Sequence, residues 1–164
     1  MPTLLHLCLW FDDQAEQAAH FYTAIFKDSR LGRISRYGEA GHEIHGRPPG
    51  SVMTVEFELN GMHFTALNGG PVFQFTEAVS LQVMCDTQTE IDDYWARLTA
   101  GGPPEAQQCG WLKDRYGLSW QIVPRQLPEM LHDPDATRRE RVMTAMLPMH
   151  KLDIATLQRA YDAA

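Results

Sequence analysis

The feature that most restricts the fold of this 164-residue chain is an order of sequence patterns that occurs twice. Each time, an alternating apolar segment precedes an acidic helix start, an amphipathic helix and a hairpin turned at glycine. Positions of the two copies align at two constant shifts: Asp13, Phe21 and Ile25 with Asp86, Tyr94 and Leu98, and Gly61, Phe64 and Thr65 with Gly117, Trp120 and Gln121. Because order and phase agree over two separate segments, the sequence predicts two βαβββ modules.

The first module is predicted over residues 1–76. Its elements are a strand Thr3–Phe11, a helix from Asp12 to Phe26, an edge strand Ser29–Gly38, a loop Glu39–Gly50 and a hairpin of Ser51–Asn60 with Met62–Leu67. The Asn60-Gly61 pair between the last two strands is a strong signal for a two-residue hairpin turn.

The second module is predicted over residues 77–125. Its elements are a strand Val79–Cys85, a helix capped by Asp86 or Thr87, a stop at Gly101–Pro104, a short strand near Glu105–Gln108 and a hairpin within Cys109–Pro124. Gly117 supplies the positive φ that the hairpin turn requires. Pro124 ends the pairing because proline has no N–H.

Residues 126–164 predict a helical extension that belongs to neither module. A short helix is expected at Pro128–His132, a longer one after Pro134 and a last one at Asp153–Tyr161. Methionines make its apolar surface adaptable. We expect this extension to cover a sheet edge, with binding of a separate partner as the alternative.

The inner strands divide into two faces. The apolar face, expected to pack on the helices, comprises Leu7, Leu9, Phe11, Met62, Phe64, Ala66, Leu81, Val83, Cys85, Leu118, Trp120 and Ile122. The mixed face comprises His6, Cys8, Trp10, His63, Thr65, Leu67, Ser80, Gln82, Met84, Ser119, Gln121 and Val123. Full exposure to solvent would leave its apolar side chains in water, and a dry core would leave its polar side chains in need of hydrogen-bond partners. The mixed face therefore predicts a half-wet pocket, with a polar dimer face or a plain exposed sheet as alternatives.

Composition excludes several classes of function. The net charge of −7 and the pI of about 5.4 argue against binding of nucleic acid or of an anionic membrane surface. The three cysteines lack a CxxC pair, so neither a disulfide framework nor a zinc knuckle is predicted. The N-terminal segment lacks the basic region of a signal peptide, and no apolar run is long enough for a membrane span. A reduced, cytoplasmic location is expected.

Three segments carry a resemblance to a known family: LCLWFDDQAEQAAHFYTAIF (7–26), SVMTVEFELNGMHFTALNGGP (51–71) and CGWLKDRYGLSWQIVP (109–124). With the paired modules, they resemble the vicinal oxygen chelate superfamily, which includes glyoxalases and bleomycin-resistance proteins. Within it they are similar to the PhnB-like family, labelled 3-demethylubiquinone-9 3-methyltransferase-like. The similarity spans roughly residues 3–147. The methyltransferase label finds no support in the residues, because no glycine-rich turn between a strand and a helix is placed to hold S-adenosylmethionine.

The resemblance implies an α+β fold in which both modules form a curved, half-open, barrel-like mixed sheet with a pocket, and it implies a homodimer. It also implies a metal held by four inner-strand positions, here His6, Thr65, Ser80 and Gln121. The two hydroxyls are weak ligands for a divalent ion, so we expect no permanently bound metal, with a divalent metal as the alternative.

Two classes of function remain open at this point. One is a binder of a small molecule without catalysis; the other is a metal-dependent glyoxalase- or dioxygenase-type enzyme acting on a small oxygen-rich substrate. His6 is the candidate base or ligand, and Gln121 is the candidate for orienting the substrate. The further ligand-binding candidates are Cys8, Trp10, Thr65, Ser80, Gln82 and Met84.

The sequence carries two weaker signals. His42 and His45 have metal-like spacing, but a solvated loop is the expected explanation because no third ligand is near. Cys8 is a candidate nucleophile beside His6, although their Cβ atoms on one strand face would be roughly 7 Å apart, too far for a direct hydrogen bond.

Overall fold

The computed structural model describes residues 5–163, and its α+β architecture confirms the predicted fold class. The strands are β1 Leu7–Phe11, β2 Ser29–Arg36, β3 Val52–Leu59, β4 Met62–Asn68, β5 Ser80–Cys85, β6 Trp111–Lys113 and β7 Ser119–Pro124. The helices are α1 Ala15–Ile25, α2 His42–His45, α3 Gln88–Thr99, α4 Leu127–Leu131, α5 Ala136–Met146 and α6 Ile154–Asp162. Among the described residues, those up to Phe75 form one compact unit and those from Thr76 form another.

The first unit is a four-stranded open sheet in the order β1-β4-β3-β2. β1 and β4 are parallel, and the other neighbours are antiparallel. Helix α1 packs on one side of this sheet through buried alanines and Tyr22. The ring of Phe57 lies against the rings of Tyr22 and Phe64, at centroid distances of 6.1 and 4.9 Å. The small alanines allow the helix to approach the sheet closely, so the aromatic rings fill the remaining space.

The predicted turn at Asn60-Gly61 is confirmed. Asn60 has φ 47° and Gly61 has φ 81°, as a two-residue hairpin turn of the right twist requires. Leu59 and Met62 pair directly on either side of it. This turn fixes the register of β3 against β4 and therefore which of their side chains share a face.

The N-terminal strand and the predicted loop differ in detail from the expectation. Thr3 and Leu4 lie outside the described residues, and β1 begins at Leu7, so His6 directly precedes the strand. Within the predicted loop Glu39–Gly50, the structure places the single helical turn α2, bounded by two glycines at positive φ.

The second unit contains a three-stranded open sheet in the order β5-β7-β6, with β5 parallel to β7. The strand predicted near Glu105–Gln108 is wrong. Pro104–Ala106 form a 3₁₀ turn there, and Gln108 makes only an isolated bridge with Trp111. Consecutive prolines at 103 and 104 have no N–H to donate, so a paired strand cannot be established at this point.

The face assignment of the strands is confirmed for most of the predicted apolar set. Trp120 is 2% exposed, and the neighbouring side chains of that set are buried in both units. Leu7 and Leu81 are only half-buried, and Met62 is 53% exposed because it lies at the hairpin end of β4.

The predicted helical extension is confirmed as helices α4 to α6, which we call the tail. Its core combines tail residues with β7: Val123, Leu127, Met130, Val142, Leu152 and Leu157, with Met84 packed against them. The tail also contacts the sheet at the start of β6, where the N–H groups of Cys109 and Gly110 donate to the carbonyls of Met149 (2.8 Å) and His150 (2.7 Å). It therefore covers part of a sheet face as well as this end of a strand. Across residues 5–163, the longest helices are too short or too polar to cross a bilayer.

Candidate functional site

The mixed side of the first sheet carries four side chains in a line across its strands, which we call the charged row: His6, His63, Glu58 and Arg30. The strand register places Glu58 between His63 and Arg30. The two imidazole rings stack at a centroid distance of 4.9 Å and an angle of 18°. His63 Nδ1 lies 3.7 Å from Glu58 Oε2, and the Arg30 guanidinium contacts the same carboxylate. Together with Glu56, the row lines a surface cavity of about 180 Å³.

A second line of side chains follows on the same side. The register places Thr65 between Cys8 and Glu56. Arg33 donates two hydrogen bonds to Glu56, at 3.0 and 2.9 Å, and these bonds hold the pKa of the Glu56 carboxyl below its usual range. Partial burial raises the pKa of the Cys8 thiol, which lowers its thiolate fraction near neutral pH. The structure thus gives no activation to Cys8 as a nucleophile.

Trp10, a predicted ligand-binding residue, is fixed by the turn that follows β4. Its indole Nε1 donates to the Gly70 carbonyl at 2.8 Å, and its ring meets Phe73 edge to face at 4.9 Å. A Cβ atom at Gly69 would lie 2.1 Å from the Trp10 ring, so only glycine fits beneath the indole. The two glycines of the LNGGP segment therefore hold Trp10 in place.

Asn68, in the same segment, was missed by the sequence interpretation. It is 6% exposed and its Oδ1 accepts the N–H of Ala15 at 2.8 Å, while its Nδ2 donates to the Val52 carbonyl at 3.1 Å. One side chain thus joins the end of β4, the start of α1 and the start of β3. Its signal in the sequence was a buried-strand pattern ending in Asn-Gly-Gly.

Glu56, Glu58 and Arg30 were missed too, since only the inner strands had been compared. Their signal is the alternation in VEFEL (55–59), where Val55, Phe57 and Leu59 are buried and the two glutamates point to the other side.

The mixed side of the second sheet carries a line of neutral side chains, which we call the amide row: Gln82, Gln121 and Trp111. The register pairs Gln121 with Gln82 on one side and with Trp111 on the other. Gln82 Nε2 donates to Gln121 Oε1 at 3.2 Å, and Gln121 Nε2 donates to Ser80 Oγ at 2.8 Å. Three predicted site residues of this unit are therefore joined by hydrogen bonds.

Met84, predicted to bind ligand, lies two residues along β5 from Gln82, on the side of the amide row that borders the tail. It is half-buried and packs against the tail core together with Val123. On the opposite side of the row, two residues along β7 from Gln121, Ser119 is 1% exposed. Its Oγ has no hydrogen-bond partner among the described residues. The mixed side thus changes from apolar to polar along the strands.

Asp114, a residue that the sequence interpretation treated only as part of a turn, organises the hairpin of β6 and β7. It is 1% exposed, and its Oδ1 accepts the N–H groups of Tyr116 (2.8 Å) and Leu118 (3.1 Å). Its Oδ2 accepts the indole N–H of Trp120 at 2.8 Å. The DRYGLSW segment therefore has a structural role, and its signal was the Asp-x-x-Gly turn followed by tryptophan.

The metal that the fold implies does not fit the donors present. Of the four implied positions, Thr65 and Ser80 offer neutral hydroxyls, and the Ser80 oxygen already accepts from Gln121. Among residues 5–163, no three His, Cys, Asp or Glu side chains are grouped as a metal ion would need. In the loop, Nδ1 of His45 accepts a hydrogen bond from the N–H of Arg47 at 3.0 Å. This nitrogen is therefore engaged with the backbone of its own loop.

S-adenosylmethionine also finds no matching turn. The connections from β1 to α1 and from β5 to α3 consist of residues 12–14 and 86–87, none of which is glycine. Thr87 caps α3 instead, with Glu90 completing a capping box.

A family model and a solved structure that resemble this chain carry the same family description. A family model described as 3-demethylubiquinone-9 3-methyltransferase matches residues 4–123. A PhnB protein from Bacillus cereus is 35% identical, with a TM-score of 0.62 over 74% of this chain and 99% of that chain.

More distant structures share the fold. A protein from Pseudomonas aeruginosa is 16% identical (TM-score 0.57; 75% of this chain, 98% of that one). The fosfomycin resistance protein FosX from Mesorhizobium loti is 15% identical (TM-score 0.52; 80% and 98%). A search among functionally curated proteins finds no significant match.

Proposed function

The chain belongs to the PhnB-like, 3-demethylubiquinone-9 3-methyltransferase family of the vicinal oxygen chelate superfamily, and from this premise we propose that it binds a small molecule without a resident metal. His6 is the proposed principal ligand contact of the first unit, and Gln121 is that of the second unit. Cys8, Trp10 and Thr65 in the first unit, and Ser80, Gln82 and Met84 in the second, are the proposed further contacts.

The observation that carries the proposal is the hydrogen-bonded chain of Gln82, Gln121 and Ser80. Its three side chains are neutral and reach solvent, since Gln82 is exposed and the other two are half-buried. Amides and hydroxyls recognise polar atoms of organic ligands by direction, whereas they hold divalent ions weakly. This chemistry favours recognition of a molecule over chelation of a metal.

The proposal is tested by NMR screening of a small-molecule library against the full chain in the presence of EDTA. We expect compounds to bind despite the chelator, and Gln121→Ala to weaken binding because each lost hydrogen bond contributes about 1 kcal/mol. Gln158→Ala, which removes an exposed amide from α6, is the matched control and is expected to leave binding unchanged.

Metal analysis of protein purified without chelators completes the test. A stoichiometric divalent metal, with ligand binding that EDTA abolishes, would contradict the proposal and support the metal-dependent enzyme.

We also propose that the chain forms a homodimer in the cytoplasm. Both sheets are open and have edges that a second copy can cover. The described cysteines Cys8, Cys85 and Cys109 are all free thiols, as in a reducing compartment. Light scattering at micromolar concentration is expected to give about twice the chain mass of 18.6 kDa. A mass equal to a single chain would overturn the dimer.

A further inference from the structure

We propose that the amide row binds an uncharged aromatic molecule with a carboxamide-like polar edge, and that Trp111 is the residue that selects its aromatic ring. This inference rests on the proposed function and names the ligand class for one of its two polar surfaces. Its new elements are the role of Trp111 and the class of ligand, and it follows from the strand register, the direction of the hydrogen bonds, the local charge and the position of the tail.

Trp111 lies on the same side of the sheet as the two glutamines. Its backbone pairs with Gln121, and its neighbour Leu112 pairs with Trp120 on the buried side. Paired residues point to the same side of a sheet, so the indole stands next to the Gln121 amide. Trp111 is half-buried, unlike Trp120, and its ring therefore keeps surface on which a flat molecule can pack.

The hydrogen bonds of the row run in one direction, from Gln82 through Gln121 to Ser80. Within residues 5–163, no partner is recorded for the side-chain oxygen of Gln82 at one end or for the hydroxyl hydrogen of Ser80 at the other, so the first can accept and the second can donate. A ligand that complements both ends must supply a donor and an acceptor. A primary carboxamide supplies both groups within one planar unit.

The charges next to the row favour a neutral ligand. In the adjoining line, Ser119 pairs with Ser80 and with Lys113, and Lys113 is the charged member. Lys113 Nζ lies 2.6 Å from Glu77 Oε1, so its charge is already compensated. The Ser119 hydroxyl, buried and unpartnered among the described residues, is a further neutral polar group on this side.

The tail provides an apolar border on the other side of the row. Met84 and Val123 are two residues along from Gln82 and Gln121 on the same side, and both pack with the tail core. Gln108, which bridges to Trp111, donates to the Leu147 carbonyl of the tail at 2.6 Å. The family match ends at Val123, so Met84 and Val123 lie within the matched segment and the tail residues of this border lie beyond it. The methionine side chain of this border can pack favourably against the aromatic ring of a ligand.

Three probes separate the elements of this proposal: benzamide, cyclohexanecarboxamide and benzoate. Benzamide keeps both the ring and the amide, cyclohexanecarboxamide loses the flat ring, and benzoate carries a charge. Binding to the full ¹⁵N-labelled chain is followed by NMR through the Trp111 indole N–H and the side-chain amides of Gln82 and Gln121. We expect benzamide to shift these signals and to bind about fivefold or more tightly than either other probe.

Two variants at one position test the role assigned to Trp111. Trp111→Ala is expected to weaken benzamide binding about fivefold while leaving cyclohexanecarboxamide binding unchanged. Trp111→Phe retains a ring and is expected to restore most of the affinity. The backbone spectrum of each variant reports folding independently, and the phenylalanine variant keeps the test decisive if the alanine variant is disturbed.

The outcomes distinguish this inference from the proposed function. Equal binding of benzamide and cyclohexanecarboxamide, benzamide shifts confined to the first unit, or an unchanged affinity in Trp111→Ala overturns the inference alone. Binding of library compounds elsewhere, with no benzamide binding, also overturns the inference and leaves the proposed function standing. Failure of every compound to bind at either polar surface overturns both.

Discussion

The polar sides of the two sheets differ in charge although both arise from strands of the same order. In the first unit the charged row joins stacked imidazoles to an Arg30–Glu58 ion pair, and Arg33 binds Glu56 beside it. In the second unit the amide row is neutral, and the tail packs against Met84 and Val123 along one side of it. A repeated topology therefore fixes where side chains point without fixing which chemistry they offer.

The same two units resemble each other in how the LNGGP and DRYGLSW segments work. In each, one buried polar side chain accepts backbone N–H groups and fixes a junction: Asn68 at the start of α1 and Asp114 at the turn before β7. Both side chains therefore stabilise the fold at a junction. We propose that ligand recognition belongs to other residues, on the mixed sides of the two sheets.

The largest expected effect separates the two sides of the second sheet. Trp120→Ala is expected to lower the free energy of unfolding by about 3–5 kcal/mol, because it empties a buried site and removes the indole N–H from Asp114. Trp111→Ala, on the opposite side, is the matched control and should cost about 1 kcal/mol. Urea denaturation followed by circular dichroism measures both. Similar losses for the two tryptophans would contradict the assignment of the faces.

The next effect compares the two junction residues. Asp114→Ala is expected to cost about 3 kcal/mol, since three donors, two of them backbone N–H groups, lose a charged acceptor. Asn68→Ala should cost about 2 kcal/mol, because it leaves the Ala15 N–H and the Val52 carbonyl without their partner. Urea denaturation of both variants ranks them. A neutral result for either would show that its junction is held by other contacts.

A smaller effect concerns acid sensitivity of the tail. Hydrogen bonds from the Thr156 hydroxyl and N–H hold the pKa of Asp153, the N-cap of α6, below its usual value. Because the pKa of Asp153 is lower in the folded chain than in the unfolded chain, the ionised carboxylate stabilises the fold at pH values above the unfolded pKa of about 3.9. This stabilisation is lost as the pH falls through the folded pKa.

Asp153→Asn keeps a capping side chain that does not titrate. We expect it to flatten the pH dependence of stability below about pH 4 by up to about 1 kcal/mol, with little change at pH 7. Urea titrations from about pH 2 to pH 7, with Asp135→Asn at the N-cap of α5 as the comparison, measure the effect. An unaltered acid profile in Asp153→Asn would assign the sensitivity to other carboxylates.

The smallest expected effect is on the charged row. His6 is exposed and precedes β1, so His6→Ala should change stability by less than about 0.5 kcal/mol while weakening ligand binding. His20→Ala, an exposed histidine on α1, is the control that should alter neither property. A loss well above 1 kcal/mol for His6→Ala would show that the ring stack with His63 is structural.

The sequence predicted the strands, helices and faces because alternation, helix caps and the Asn60-Gly61 turn are local signals. It failed at Glu105–Gln108, where a 3₁₀ turn that begins at Pro104 takes the place of the predicted strand. It placed His6, Ser80 and Gln121 on the mixed side, but not the partners of these residues. Pairing across strands, as between Glu58 and Arg30 or between Trp111 and Gln121, depends on register, which no single strand encodes.

The position of the tail core affects how the chain folds during synthesis. The first unit draws its core from residues before Phe75 and can close while the rest is still being made. The second unit needs Leu152 and Leu157 to cover Val123, so its sheet stays partly uncovered until the segment up to α6 has left the ribosome. Methionine-lined apolar surface is exposed to chaperones and to aggregation during that interval.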